Sequence, residues 1–357
     1  MYEFETVATC YKLVHDMFKA KPGETMVITC DTESDMQAVE ACANACVLCG
    51  VKPVVMKIAA PRGVGKAADP DMPVAVLTEA LCAADMWVEF NNKWIFYSSV
   101  YDAAVERNKK LRYICWLGAY PAMMMRMIGH MDIETCAEFH HKVEAATAAA
   151  KHVHITTPAG TDVEFDMEPG RPFWTADGLI DKPGDLKMVP GQISWTPKFG
   201  TIQGRLVFDG AMDPGISDLD EPIVVDVKDD FITNISGGQA AKQWEAWLKS
   251  LNDPNMYRVA HASYGLNPGS ILSRVIAEDE RIWGCVEFGF GNIGDIMVAD
   301  YIEKTGKYMH AASHCDGIAL NSTVWLDDKL FFKDGEVVGP TEEIVELAKK
   351  LRSQVQG

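Results

Sequence analysis

Near residue 150 the hydrophobic pattern of this chain changes period, from strand and helix in alternation to a repeat of two. Upstream, short apolar runs at Thr25–Cys30, Lys52–Lys57, Met86–Phe90 and Arg112–Trp116 read as strands. The stretches Thr6–Phe18, Asp35–Cys49, Pro73–Ala84 and Tyr101–Lys109 carry apolar residues at helical spacing. Strand and helix alternating in this way predict a doubly wound, largely parallel α/β sheet. A long amphipathic run from Asp132 to about Ala150 closes the unit.

Downstream of His152, period-two runs separated by turn residues predict an antiparallel, β-rich domain. His152–Thr156 and Thr161–Asp166 flank Thr157-Pro158-Ala159-Gly160 as a hairpin. Further strands are expected at Gly204–Phe208, Ile223–Val227, Phe231–Ile235, Arg258–Ser263, Ile282–Phe288, Gly317–Trp325 and Lys329–Lys333, with one helix near Gln239–Ser250. Thr341 caps a terminal helix with Glu342 and Glu343 in its first turn and Lys349, Lys350 and Arg352 toward its end, the arrangement the helix dipole favours. The expected organisation is an α/β domain over 1–150 and a β-rich catalytic domain over 151–357. A chain of 357 residues suits two cores better than one.

With 33 basic against 51 acidic residues, the net charge of −18 repels phosphate backbones and argues against a nucleic-acid partner. No stretch stays apolar for the roughly 18 residues of a membrane span, and Met1–Glu5 lacks the basic and apolar regions of a signal peptide. The expectation is a cytoplasmic protein. The 10 cysteines fit that setting as reduced core residues, since most fall inside predicted helices and strands.

The local signal for chemistry is Ser313-His314-Cys315-Asp316. On a strand, His314 and Asp316 project to one face and Cys315 to the other, which suits two ligands of one metal. His261 sits in an apolar strand ending in a Gly and Pro turn, where a histidine is either a satisfied core residue or part of a site. Glu287 interrupts the apolar run before Phe288-Gly289-Phe290-Gly291, as a ligand, a general base or a strand-end charge. Two histidines with one or two carboxylates meet the ligand count for Fe(II), Zn or Mn with an open position.

Other motifs carry less. Cys42, Cys46 and Cys49 have iron–sulfur spacing but lie at i, i+4 and i+7 of a helical pattern, so they form a buried stripe. Gly63-Val64-Gly65-Lys66 lacks the first Gly and the Ser or Thr of a phosphate loop and reads as an ordinary loop. His140 and His141 are expected on the solvated side of a helix. Neither a G-x-G-x-x-G turn nor a G-x-S-x-G elbow is present.

The run Asn252-Asp253-Pro254-x-x-Tyr257-x-x-x-His261-x-x-x-Gly265-Leu266-x-Pro268, followed by His314-x-Asp316 and Leu326-Asp327-Asp328-Lys329, resembles the 2,5-dihydroxypyridine 5,6-dioxygenases. These are non-haem Fe(II) enzymes related in fold to the thermophilic leucyl aminopeptidases of the aminopeptidase T type. The resemblance extends through Ala159-Gly160-Thr161-Asp162, Lys182-Pro183-Gly184 and Ile232-Thr233-x-Ile235-x-Gly237-Gly238, covering roughly 150–335. It implies that His261, His314 and Asp316 hold iron, that an α/β domain precedes a β-rich metal domain, and that the protein is a homo-oligomer. The chain also departs from the pattern. Lys187, Met188 and Val189 precede Pro190 where the dioxygenases carry a histidine, and Ala176 stands in place of a Glu. Glu287 lies near the position at which the aminopeptidases place a metal-binding His.

Two chemistries follow. The first is oxidative ring cleavage by one Fe(II), with a hydroxylated N-heteroaromatic or phenolic small molecule among Trp174, Trp195, Tyr264 and Trp283 and with Glu287 or Lys187 moving protons. The alternative is hydrolysis of an amide, lactam or peptide bond by Zn, Mn or Co, with Glu287 as fourth ligand or general base. A purely structural metal would require a closed shell of four ligands.

Overall fold

The computed structural model describes residues 3–216 and 219–355. The described residues divide into one unit of 3–137 with Ala176–Pro190 and a second of Glu138–Thr175 with 191–355. The division therefore falls inside the helix Ile133–Ala148 and not near 150, and a later segment rejoins the first unit.

In the first unit a five-stranded parallel sheet runs in the order Lys52–Ile58, Thr25–Asp31, Met86–Glu89, Arg112–Cys115, Leu186–Met188. The order reverses beside the Thr25 strand, as in doubly wound folds. Asp35 starts the helix Met36–Leu48 by accepting from the N–H groups of Gln37 (2.8 Å) and Ala38 (3.3 Å), two donors that the first turn leaves open. The cysteine stripe of this helix is core: Cys42 and Cys46 are fully buried, and Cys46 Sγ lies 3.3 Å from Met26 Sδ. Val27, Trp87 and Tyr113 from the sheet pack with Leu77 and Leu81 from the helix Val74–Cys82, and truncating either leucine to Ala would cost roughly 2–5 kcal/mol. The Gly63–Lys66 loop is engaged as an ordinary one, with Lys66 Nζ 2.5 Å from Asp102. Glu89, fully buried at its strand's end, accepts from Tyr113 Oη (2.5 Å) and the Ile95 N–H (2.6 Å). Burial lifts its carboxyl to about 7 against those bonds.

The second unit holds two antiparallel sheets. One has eight strands, in the order Phe231–Ser236, Ile223–Lys228, Gln203–Phe208, Asp162–Asp166, His152–Thr156, Thr323–Leu326, Lys329–Lys333, Glu336–Val337. The other runs His314–Ala319, Val286–Gly291, Val259–Gly265, Gln192–Trp195, Phe173–Ala176. Period two explains how they meet. Tyr264, Phe288 and Phe290 project from one face of the smaller sheet onto Phe332, Phe165 and Phe208 of the larger one, at ring separations of 4.9, 6.5 and 5.9 Å. Gly317 shares that face, where a Cβ would stand 2.7 Å from the Phe208 ring. The odd-numbered neighbours of those aromatics are left on the opposite face.

Several expectations are corrected. Gly317–Trp325 is not one strand: the chain turns at Leu320–Ser322, where Asn321 has φ 54°, and its two halves join different sheets. The expected strand at Ile282 begins only at Val286, because Ile282–Cys285 form a turn in which Gly284 (φ 76°) lies against the backbone of Gly335. His140 is fully buried and edge-on to Phe139, at 5.6 Å, while His141 is exposed. The terminal helix Glu342–Val355 starts as expected, with Thr341 Oγ1 accepting from the Ile344 N–H at 3.3 Å. Among the described residues no helix is long and apolar enough to cross a membrane.

Candidate metal centre

The face of the smaller sheet turned away from the aromatic core carries His261 and Ser263 on one strand, Glu287 and Gly289 on the next, and His314 and Asp316 on the third. Register brings them together: His261 pairs with Gly289, Gly289 with Asp316, and Ser263 with Glu287. Gly289 thus lies between the His261 and Asp316 strands with no side chain to fill the gap. A Cβ there would stand 2.2 Å from His261 Nε2, so the imidazole ring occupies space that only glycine leaves.

The donor atoms converge tightly. His261 Nε2 is 3.1 Å from His314 Nε2, His314 Nε2 is 3.0 Å from Asp316 Oδ1, and His261 Nε2 is 3.4 Å from the same oxygen. The far nitrogens fix the tautomers. The Asn292 carbonyl can only accept, so His314 Nδ1 donates to it at 2.8 Å. Ser263 Oγ gives its own proton to Ser194 Oγ (2.8 Å) and accepts from His261 Nδ1 (3.2 Å). With each Nδ1 as donor, the Nε2 atoms are the ones turned to a point shared with a carboxylate oxygen. Atoms at this spacing are held together by a shared proton, as between His314 and Asp316, or by a cation. Ligand atoms about 2.0–2.2 Å from a metal, at tetrahedral to octahedral angles, are separated by about 2.9–3.5 Å, the range seen here.

The local electrostatics agree. Burial resists charge on Asp316, but His314 and His261 overcome it and hold the carboxyl well below the usual range. Burial likewise resists protonation of His314, and the Asp316 carboxylate reverses this, lifting the imidazole to about 9. His261 is lowered, by burial first. Glu287, 1% exposed, is pushed well above the ordinary carboxylate range by burial, then by Asp316 and Glu280. His314 keeps a side chain 35% exposed, so the cluster is open on its side.

Of the residues expected in the site, His261, His314 and Asp316 form one group of potential metal ligands. Glu287 adjoins it, with Oε1 3.7 Å from His261 Nε2, and also forms a second close group with Glu280 and Asp316. Lys187 belongs to the first unit, where Nζ lies 3.3 Å from Asp177 Oδ1. Trp195 and Tyr264 are fully buried and pack against each other in the core, tilted by 57° at 4.7 Å, leaving no surface for a ligand. Trp283 stacks on Phe139, and Trp174 packs with Ala260 and Ile293. Sequence reasoning missed Glu280, Gln192 and Asp213. Glu280 sits in the run Glu278-Asp279-Glu280-Arg281, which reads as a solvated surface, yet it is buried and lifted to about 7 by desolvation despite Arg281. Gln192 carries no local signal. Asp213, whose N–H donates to the Asp316 carbonyl at 2.8 Å, is raised to about 6 by burial and then by Asp316.

A parallel α/β unit followed by an antiparallel unit, with two histidines and a carboxylate on one sheet face, defines an aminopeptidase T-like architecture carrying a potential metal centre. Wild-type AmpT from Thermus thermophilus has this fold (TM-score 0.68, 12% identity, 95% of this chain and 100% of that one). So does the 2,5-dihydroxypyridine dioxygenase from Pseudomonas putida KT2440 (TM-score 0.75, 21% identity, 95% and 98%). The chain belongs to the 2,5-dihydroxypyridine 5,6-dioxygenase (NicX) family, whose family model matches residues 6–339. It is 28% identical to the Pseudomonas putida 2,5-dihydroxypyridine 5,6-dioxygenase over 205 residues, 56% of this chain and 57% of that relative's length.

Proposed function

We propose that the protein is a ring-cleaving dioxygenase that uses a single Fe(II) to open a hydroxylated N-heteroaromatic or phenolic small molecule. The observation that carries this reading is the convergence of His261 Nε2, His314 Nε2 and Asp316 Oδ1 with both tautomers fixed, in a chain of the 2,5-dihydroxypyridine 5,6-dioxygenase family. Fe(II) bound by such a facial set supplies the electron transfer that lets O₂ react with a closed-shell ring. The residues supply the rest. Asp316 contributes the one anionic donor and the histidines are neutral, so a net positive charge remains to attract a substrate oxyanion. The exposed side of His314 is the approach for small molecules. Burial, then Asp316 and Glu280, push the Glu287 carboxyl well above the ordinary range, and with Oε2 accepting from Gln192 Nε2 it is Oε1 that is turned to the donor atoms, the place from which it would carry a proton. Of the two proton carriers proposed from sequence, Glu287 is preferred, since Lys187 is paired with Asp177.

A metal-dependent hydrolase using Zn, Mn or Co is the second reading. The observation favouring it is the close set of Glu280, Glu287 and Asp316, which offers Glu287 as a fourth ligand or general base. In either case the proposed partner is a small molecule and the proposed state a cytoplasmic homo-oligomer, for which the free thiols and the family resemblance are the support. The test is O₂ consumption with dihydroxypyridines under ferrous iron, set against amide cleavage under zinc or manganese. Oxygen uptake stoichiometric with ring loss is expected; turnover under strict anaerobiosis would refute the dioxygenase.

A further inference from the structure

Behind Glu287 the bond from Gln192 continues into a buried polar chain that the mechanism above leaves without a role. Arg281 is fully buried and donates Nη2 to Gln192 Oε1 (2.8 Å), and Nη1 to both Glu280 Oε2 and the Ala277 carbonyl (2.8 Å each). A guanidinium has only donors, so the Gln192 amide must turn its oxygen to Arg281 and its nitrogen the other way. That nitrogen donates to Glu287 Oε2 and, at 3.2 Å, to Glu280 Oε2. With Oε2 held, the remaining oxygen of Glu287 stands 3.7 Å from His261 Nε2.

We propose that Gln192, locked by Arg281, is a positioning residue for the metal centre, which holds Glu287 with Oε1 turned toward the shared point of His261, His314 and Asp316. The inference rests on the metal-centre reading. Its physical basis is geometric: Gln192 Nε2 fixes Oε2, and without that donor the carboxyl group can rotate and Oε1 loses its aim at the cluster. The strand Gln192–Trp195 does not depend on this side chain, since its backbone pairs with Val259–Gly265. Partners that orient groups around a metal in this way commonly set affinity by 10–100-fold.

Titration of the full chain with Co(II) alone, followed by visible absorption, tests the proposal. Gln192→Leu removes all three bonds, and Gln192→Glu keeps an acceptor for Arg281 while losing the donor. Each is expected to weaken Co(II) binding by about 10–100-fold and to shift the cobalt bands. In a Glu287→Gln background the same changes should alter affinity by no more than about twofold, because the effect travels through Glu287. Equal losses with and without Glu287, wild-type affinity and spectrum in both variants, or loss of fold in both variants would each overturn the proposal. His314→Ala separates the premises: retention of Co(II) there refutes the metal centre itself. Loss of Co(II) there, beside unaltered Gln192 variants, refutes only the positioning role.

Discussion

Gly289 faces His261 across the sheet at a position where a Cβ would lie 2.2 Å from His261 Nε2. The imidazole reaches the donor cluster over a gap in the neighbouring strand, and the ligand geometry depends on that missing side chain as much as on the ligands. Gly289→Ala is therefore expected to leave the sheet paired but displace the ring, cutting metal affinity by at least about tenfold. Calorimetric metal titration of the folded variant checks this; affinity equal to the parent would show that the ring has other room.

His261→Ala and His314→Ala each remove one of two nitrogens held 3.1 Å apart. Both variants are expected to lose their metal on dialysis, measured as metal per chain by elemental analysis. Full occupancy in either one removes that residue from the ligand set.

Glu287→Gln keeps the shape of a buried side chain and deletes its proton chemistry. With iron supplied to saturation, kcat is expected to fall by about 10²–10⁴ with KM little changed, as for loss of a general acid or base. Unchanged turnover would move proton transfer elsewhere.

Stability of the first unit should depend on pH through Glu89. Its folded carboxyl titrates at about 7 against a reference of 4.5, so between these values the folded state binds more proton than the unfolded one. This contribution is fully present below about pH 4.5, declines as pH rises toward 7 and is absent above, a change on the order of 3 kcal/mol. Urea denaturation at pH 5 and pH 8 measures it. In Glu89→Gln the component should vanish, and an unchanged pH slope would assign it to other groups.

Much of this architecture was legible from periodicity. The first four parallel strands and the helix Gln239–Ser250 lie where the pattern puts them, because long runs of one period leave little choice. The strand Leu186–Met188 was not legible: three residues carry no period, and only pairing with Arg112–Cys115 makes them a strand. The break at Asn321 was hidden because residues on both sides of it are β-formers that join different sheets. The same division runs through the site. His314 and Asp316 announce themselves by being two residues apart on a strand. Gln192 reaches Glu287 from 95 positions away and Glu280 reaches it through a short turn, and no local signal marks a glutamine or an acidic run as buried.

The alternation of His314, Cys315 and Asp316 has a consequence for how the protein reaches its native state. Cys315 is wholly buried on the core face while its two neighbours face the cluster. A slip of one residue in the pairing with Val286–Gly291 would drive a histidine and an aspartate into the aromatic core and leave a thiol where the ligands belong. Only the native register gathers these donors on one face, so an ion bound there would act as a proofreader of strand pairing, adding its binding free energy to the correctly aligned sheet and to none of its shifted competitors.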